Sequence, residues 1–181
     1  YYEPPEAFLR YLPKEFQKDF QYVQIEGRTK LAVGGIISDY IPNPTFNYVA
    51  DIGSHEDWYR GNNPEGLSLR DFGGKPIPSQ PAFHNGAEHL KILDQEGIHA
   101  AVVLPTLASV IEERLEHKPE TIQALFHSLN QWVADEYGFG NGRQFPAGAI
   151  NLSDCETACR ELDYLLAAGA RVVLVRPGPV A

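Results

Sequence analysis

The stretch Gly97-Ile98-His99-Ala100-Ala101-Val102-Val103-Leu104-Pro105-Thr106 decides the fold class of this chain. Its centre is an unbroken run of small and β-branched apolar residues that ends at a proline. Such a run is typical of a strand that is buried on both faces of a parallel sheet. A helix-like segment ends at Gly97 and leads directly into it. The same arrangement returns at Ala168-Gly169-Ala170-Arg171-Val172-Val173-Leu174-Val175-Arg176-Pro177. The sequence therefore predicts a β/α unit that occurs at least twice.

The composition is that of one globular domain. The chain has 181 residues, enough to form a core, and 43% of them are hydrophobic. The formal net charge of -9 argues against nucleic acids and membranes as partners, because anionic surfaces need a basic face. No membrane span or signal peptide is visible and there are two cysteines, which favours a cytoplasmic protein without disulfides. Because the chain contains no methionine, we expect it to be a fragment.

Residues 14–82 are expected to form an insertion ahead of the repeating part, residues 83–181. Within this insertion, residues 20–33 predict a hairpin that turns at Glu26-Gly27. Residues 40–81 contain many prolines, glycines and asparagines without periodicity, and unstructured segments of this length are uncommon inside compact domains.

The segment 40–81 is expected either to cover a site or to form a subunit contact. Aromatic side chains could supply such a contact, and the candidates are Trp58, Tyr59 and Phe72. A homo-oligomer is therefore an expectation from the sequence.

Helices and strands alternate over the repeating part. Apolar spacing predicts helices over 85–96, 107–117, 119–137 and 153–168. In the second helix, Glu112 is placed on the solvated face. Parallel strands joined by right-handed crossovers follow from this order. Ligands meet the carboxyl ends of such strands, which here are Pro105-Thr106, Asn151-Leu152 and Arg176-Pro177.

The six histidines do not form a recognisable metal motif. His84 and His89 fall on different faces of one helix, His99 stands at the amino end of its strand, and His-x-His and His-Glu-x-x-His are absent. We expect no metal site to be completed within this chain. Cys155 and Cys159 lie on the apolar stripe of their helix and are expected to pack in the core.

Two further segments have alternative interpretations. Residues 138–142 (Gly-Phe-Gly-Asn-Gly) follow a helix and precede a strand, which is the reverse of a nucleotide-binding loop, so we interpret them as a connection. Arg176 ends the last apolar strand. It could bind a substrate carboxylate through two parallel hydrogen bonds, or it could form an ion pair with a nearby acidic residue.

Five stretches together resemble the amidohydrolase-related family that includes aminocarboxymuconate-semialdehyde decarboxylase and the resorcylate-type decarboxylases. They are Tyr1-Tyr2-Glu3-Pro4, Ile41-Pro42-Asn43-Pro44-Thr45-Phe46, Leu93-Asp94-Gln95-Glu96-Gly97-Ile98, Val103-Leu104-Pro105-Thr106 and Val175-Arg176-Pro177. The resemblance implies an α/β fold, a TIM-like (β/α)8 barrel of which this chain would hold about three parallel strands. It also implies a divalent metal, commonly zinc, with ligands outside this chain.

The same resemblance implies an enzyme that acts on a small, carboxylate-bearing molecule. The reaction would be hydrolysis or non-oxidative decarboxylation, and a metal could polarise the substrate or lower the pKa of a bound water. By position, Glu3, Thr106 and Arg176 would line the substrate-binding pocket, and no catalytic residue is assigned. We expect the chain alone to be inactive. The alternative is a non-catalytic α/β module that binds a small ligand at the carboxyl ends of its strands.

Overall fold

The computed structural model describes residues 1–38, 43–51, 53–73 and 75–176. The strands are β1 (Phe20–Ile25), β2 (Arg28–Val33), β3 (Ile36–Ile37), β4 (Tyr48–Val49), β5 (Ile77–Pro78), β6 (Ala101–Val103), β7 (Gln144–Ala149) and β8 (Val172–Leu174). The helices are α1 (Pro5–Leu9), α2 (Glu56–Tyr59), α3 (Leu69–Phe72), α4 (Gly86–Gln95), α5 (Ala108–Arg114), α6 (Pro119–Glu136) and α7 (Cys155–Ala167). Within the described ranges, none of these helices combines the length and apolar character that a membrane span requires.

The predicted hairpin is present as β1 and β2, which pair antiparallel. Its two-residue turn contains Glu26 with φ 50° and Gly27 with φ 73°, and such turns match the twist of the flanking strands. β3 extends the hairpin to three strands. Phe20, Leu31 and Val33 are each 1% exposed, so this part of the predicted insertion contributes directly to the core.

The segment after the hairpin is more regular than the sequence suggested. β4 pairs with β5, and α2 and α3 are single-turn helices. In α3 the Ser68 side chain accepts a hydrogen bond from the Asp71 N–H and so caps the helix. Tyr59 is 72% exposed, and its part in a subunit contact stays a prediction. The motif positions Ile41 and Pro42, and Pro177, lie outside the described residues.

β6, β7 and β8 form a parallel sheet in that order. The connection from β6 to β7 contains α5 and α6, and the connection from β7 to β8 contains α7. Parallel neighbours require crossovers of this kind. The predicted α/β class with a parallel sheet is confirmed, while closure into a (β/α)8 barrel stays a proposal.

The long helix α6 forms the centre of the core. Leu125, Leu129, Trp132 and Val133 on α6 are at most 1% exposed. Their spacing is that of one helix face, as the sequence predicted. The side chain of Phe8 from α1 joins the same cluster, so the start of the chain packs with the β/α repeats in one core.

The central strand β7 is buried on both faces, as expected, but the outer strands β6 and β8 are not. Val103 of β6 is 8% exposed, whereas the adjacent Val102 is 58% exposed; Val173 of β8 is 43% exposed. β6 and β8 are the outer strands of this sheet as the structure describes it. In the described residues, part of the sheet therefore lacks a covering layer, and apolar side chains there face solvent.

The prediction that Cys155 and Cys159 pack in the core is wrong, because both are exposed. Ala158 and Leu165 of α7 are buried instead. Leu165 occupies the space above Gly148 in β7, so closely that a Cβ added to this glycine would clash with both Leu165 methyl groups. This contact turns the face that carries the two cysteines away from the core.

Candidate active site

Polar residues follow each strand of the parallel sheet at its carboxyl end. Thr106 follows β6, Asn151 follows β7 and Arg176 follows β8. Because parallel strands point the same way, these residues lie along one edge of the sheet, where ligands of α/β proteins commonly bind. Glu3 reaches the same edge through a hydrogen bond with Thr106. The structure thus brings Glu3 and Thr106 together at β6 and places Arg176 at β8, on the far side of β7.

The carboxylate of Glu3 caps the beginning of α5. Its Oε1 atom accepts hydrogen bonds from the backbone N–H groups of Thr106 (2.9 Å), Leu107 (2.8 Å) and Ala108 (3.3 Å). The first N–H groups of a helix have no partner within the helix, and a carboxylate also interacts favourably with the helix dipole there. The Glu3 side chain is completely buried. In this structure it holds the backbone at the end of β6.

Burial raises the pKa of the Glu3 carboxyl to about 7, although the hydrogen bond from Leu107 opposes the shift. Within the described residues, Oε2 of Glu3 and the hydroxyl oxygens of Tyr22 and Tyr137 are buried without a hydrogen-bond partner. Burial, with a smaller contribution from the Glu3 charge, also raises the pKa of both tyrosines. Glu3 therefore lies where the charged form is disfavoured, and it exchanges its proton near neutral pH.

Thr106 connects the beginning of the chain to the end of β6. Its hydroxyl donates to the carbonyl oxygen of Tyr1 at 2.9 Å, and the Tyr1 amino group donates to the Leu104 carbonyl oxygen at 2.7 Å. Glu3 and Thr106 thus bind protein backbone in this structure. Their contact with a substrate stays a prediction.

A second polar cluster contains Glu112, which the sequence placed on a solvated helix face. That expectation is wrong, because Glu112 is only 6% exposed. Its Oε1 atom accepts a hydrogen bond from Nδ2 of Asn151 at 2.7 Å. A signal for its burial exists in the sequence, since Glu112 shares the buried face of α5 with Ala108, Ile111 and Leu115 at helical spacing.

A cavity of about 60 Å³ lies beside Glu112 at the carboxyl edge. Arg176 also lines it, and the remaining walls are apolar: Ala108, Phe126, Ala149, Leu174 and Val175. Burial raises the pKa of Glu112, while the Asn151 hydrogen bond and the positive charge of Arg176 lower it. Across the ranges that the structure describes, Arg176 takes part in no ion pair, so the predicted alternative of a structural pair is not observed there.

Three histidines make hydrogen bonds that fix the protein interior. His84 contacts the Tyr2 carbonyl oxygen and the Ser79 hydroxyl, each at 3.0 Å. Since only a ring N–H can pair with the carbonyl, Nδ1 donates to Tyr2 and Nε2 accepts from Ser79. His89 contacts Gln144 at 2.7 Å and His127 contacts Glu161 at 2.8 Å. These histidines stabilise packing between elements.

The metal that the family resemblance implies does not fit the described part of this chain. Across residues 1–38, 43–51, 53–73 and 75–176, no three His, Cys, Asp or Glu side chains are grouped closely enough to hold a metal ion.

The glycine-rich segment 138–142 connects α6 to β7. It precedes β7, so it lies at the amino ends of the strands, opposite to the candidate site. Asn141 fixes it by accepting hydrogen bonds from the N–H groups of Arg143 (3.0 Å) and Gln144 (2.7 Å). The segment is a connection, as the sequence predicted.

A comparison with solved structures identifies the family. An amidohydrolase from Mycobacterium avium subsp. paratuberculosis K-10 aligns with a TM-score of 0.89 and 34% sequence identity, over 99% of this chain and 48% of that protein. Over nearly its whole length, this chain is similar to an amidohydrolase. The resemblance stated from the sequence is thereby confirmed. No protein-family model and no curated protein matches the chain.

The chain spans about half the length of this solved relative. The carboxyl edge that carries Thr106, Asn151 and Arg176 is therefore described here for only three parallel strands.

Proposed function

We propose that this chain forms part of an amidohydrolase-type enzyme whose substrate pocket lies at the carboxyl ends of β6, β7 and β8. One observation carries the proposal: polar residues gather at this edge, in a chain that is similar to an amidohydrolase over 99% of its length. They are Glu3, Thr106, Glu112, Asn151 and Arg176.

The proposed substrate is a small molecule that carries a carboxylate. Arg176 supports this class because its side chain is exposed at the edge of the sheet and lines a cavity. A planar guanidinium can donate two parallel hydrogen bonds to one carboxylate. Glu3 and Thr106 would contribute by fixing the backbone at the end of β6, where the pocket begins.

The proposed reaction is hydrolysis of a C–N or ester bond, because the solved relative is described as an amidohydrolase. Non-oxidative decarboxylation is the second candidate, since the sequence motifs at both ends of the chain resemble decarboxylases of the same family. For the whole protein we also propose a divalent metal cofactor, with zinc as the first candidate. The proposed location is the cytoplasm.

The test uses protein produced from the complete reading frame that encodes these residues, beside the 181-residue chain. Both are assayed for bound metal and for turnover of N-acyl amino acids, carboxylate esters and aromatic carboxylates. We expect the complete protein to bind metal and to release an acid or carbon dioxide, which distinguishes hydrolysis from decarboxylation. If it does neither, a non-catalytic ligand-binding module replaces the proposal.

A further inference from the structure

Glu112 and Arg176 face one cavity without touching each other. Both line it, yet they do not form an ion pair within the part of the chain that the structure describes. The two charges nevertheless interact, because Arg176 lowers the pKa of Glu112. A guanidinium and a carboxyl group that line one cavity without forming an ion pair can both contact a polar group placed in it.

The cavity is large enough for that group. A cavity needs about 10–15 Å³ of accessible volume to hold one water molecule, so about 60 Å³ has room for a carboxylate group. Apart from Glu112 and Arg176, its walls are apolar side chains from α5, α6, β7 and the end of β8. The apolar walls offer an anion no competing polar partner, so Glu112 and Arg176 are the cavity residues whose side chains can bind it.

We propose that this cavity is a subsite for one carboxylate group of the substrate, held between the guanidinium of Arg176 and the carboxyl group of Glu112. The inference rests on the proposed function in taking the cavity as part of the same pocket. It adds Glu112 to the residues that bind the substrate and says how the carboxylate is recognised.

For this recognition Glu112 must carry a proton. One oxygen, Oε1, already accepts the N–H of Asn151, which leaves Oε2 to donate to the ligand carboxylate. An O–H···O⁻ hydrogen bond is short and strong. The pKa of Glu112 is raised by burial, so protonation is easier here than for an exposed glutamate.

Among the described residues, the other groups around Glu112 do not take the position that we propose for the ligand carboxylate. From α6 the cavity receives Phe126, which is apolar. On α7, the carboxylate of Glu161 accepts a hydrogen bond from Asn130 at 2.7 Å and pairs with His127. Among the described residues, Arg176 is the charged group that acts on Glu112.

The experiment is a binding titration of the protein produced from the complete reading frame with propionate and, as its uncharged isostere, propionamide, followed by NMR at several pH values. We expect propionate to bind at least tenfold more tightly than propionamide. Propionate binding should weaken as the pH rises, because Glu112 loses the proton that it donates. Equal binding of the two compounds would overturn the proposal.

Substitutions separate the two partners. Arg176→Gln should weaken propionate binding at least tenfold and Arg176→Lys by less, because lysine keeps the charge without the paired donors. The matched control is Arg171→Gln, an exposed arginine just before β8 at the opposite edge of the sheet, which should change binding less than twofold. Equal losses at both positions would show a general charge effect and contradict the subsite.

Glu112→Gln tests the proton directly. A glutamine amide donates at every pH, so this variant should still bind propionate but should lose the pH dependence. Its control is Glu113→Gln, the exposed neighbour on α5, which should keep the wild-type profile. Unchanged pH dependence in Glu112→Gln would overturn the role of Glu112. Because the titration involves no turnover, these failures are distinguishable from failure of the proposed reaction.

Discussion

The side-chain amide of Asn130 in α6 pairs with both backbone polar groups of Ala149 in β7. Its Nδ2 atom donates to the Ala149 carbonyl oxygen at 2.9 Å, and its Oδ1 atom accepts the Ala149 N–H at 2.8 Å. Nδ2 also donates to Glu161 of α7. One buried amide therefore does what a neighbouring strand would do for Ala149, and it joins two helices to the sheet.

Replacing Asn130 by alanine should lower the free energy of unfolding by about 2–4 kcal/mol, because two buried backbone groups lose their partners. Urea unfolding followed by circular dichroism measures the change. Gln131→Ala, at the neighbouring half-buried position, is the control and should change stability by less than about 1 kcal/mol. Similar losses of stability in both variants would show that the hydrogen bonds between Asn130 and Ala149 do not stabilise the fold.

Removing the cap of α5 should also destabilise the protein. Glu3→Ala leaves N–H groups at the start of α5 without an acceptor and should lower the free energy of unfolding at pH 5 by about 2–4 kcal/mol. Glu3→Gln keeps an accepting oxygen, so it should lower the free energy of unfolding clearly less than Glu3→Ala does. The exposed Glu6→Ala on α1 is the control, and the three variants are compared by urea unfolding. A Glu3→Ala variant as stable as the control would refute the capping role.

The raised pKa of Glu3 predicts a pH dependence of stability. Its pKa rises from the ordinary 4.5 to about 7 on folding, so between these values the folded state binds a proton that the unfolded state does not. Stability should therefore fall as the pH rises from about 4.5 to about 7 and should receive no further contribution from Glu3 above that window. Chemical unfolding across this range measures the slope in the wild type and in Glu3→Gln, where this contribution should disappear. An identical slope in both proteins would contradict the assignment.

Gly148 is required for the packing of α7 on β7. Gly148→Ala should lower the free energy of unfolding by about 1–3 kcal/mol, since its methyl group would clash with Leu165. Gly140→Ala is a matched control, because a Cβ there meets no atom within 4 Å. Combining Gly148→Ala with Leu165→Ala should cost less than the sum of the single changes when thermal or urea unfolding is compared. Strict additivity would indicate that the two residues do not compete for the same space.

Local patterns in the sequence predicted the elements well. The pair Glu26-Gly27 between alternating apolar residues specified the hairpin turn, because few residues adopt positive φ. The apolar spacing around Leu125 and Trp132 predicted the long central helix and its buried face. The repeated helix, glycine and apolar strand predicted the parallel sheet.

Predictions that depended on contacts between distant segments failed. Cys155 and Cys159 were placed in the core because an apolar stripe looks the same whichever part of it packs, and the rotation of α7 is set by Leu165 over Gly148. Glu112 was assigned to solvent on its charge, although it shares the buried face of α5 at helical spacing. Its partner Asn151 lies in another loop, and a partner that is far apart in sequence leaves no local pattern to detect.

The hydrogen bond between Glu3 and Thr106 joins residues that are 103 positions apart. During synthesis at about 5–20 residues per second, the segment that carries Glu3 leaves the ribosome roughly 5–20 seconds before the end of β6 can meet it. Throughout that interval the Glu3 carboxyl is solvated and its pKa is that of an ordinary glutamate. The segment that carries Glu3 can therefore dock only after β6 has been synthesised, and a nascent chain that stops before Thr106 cannot complete this contact.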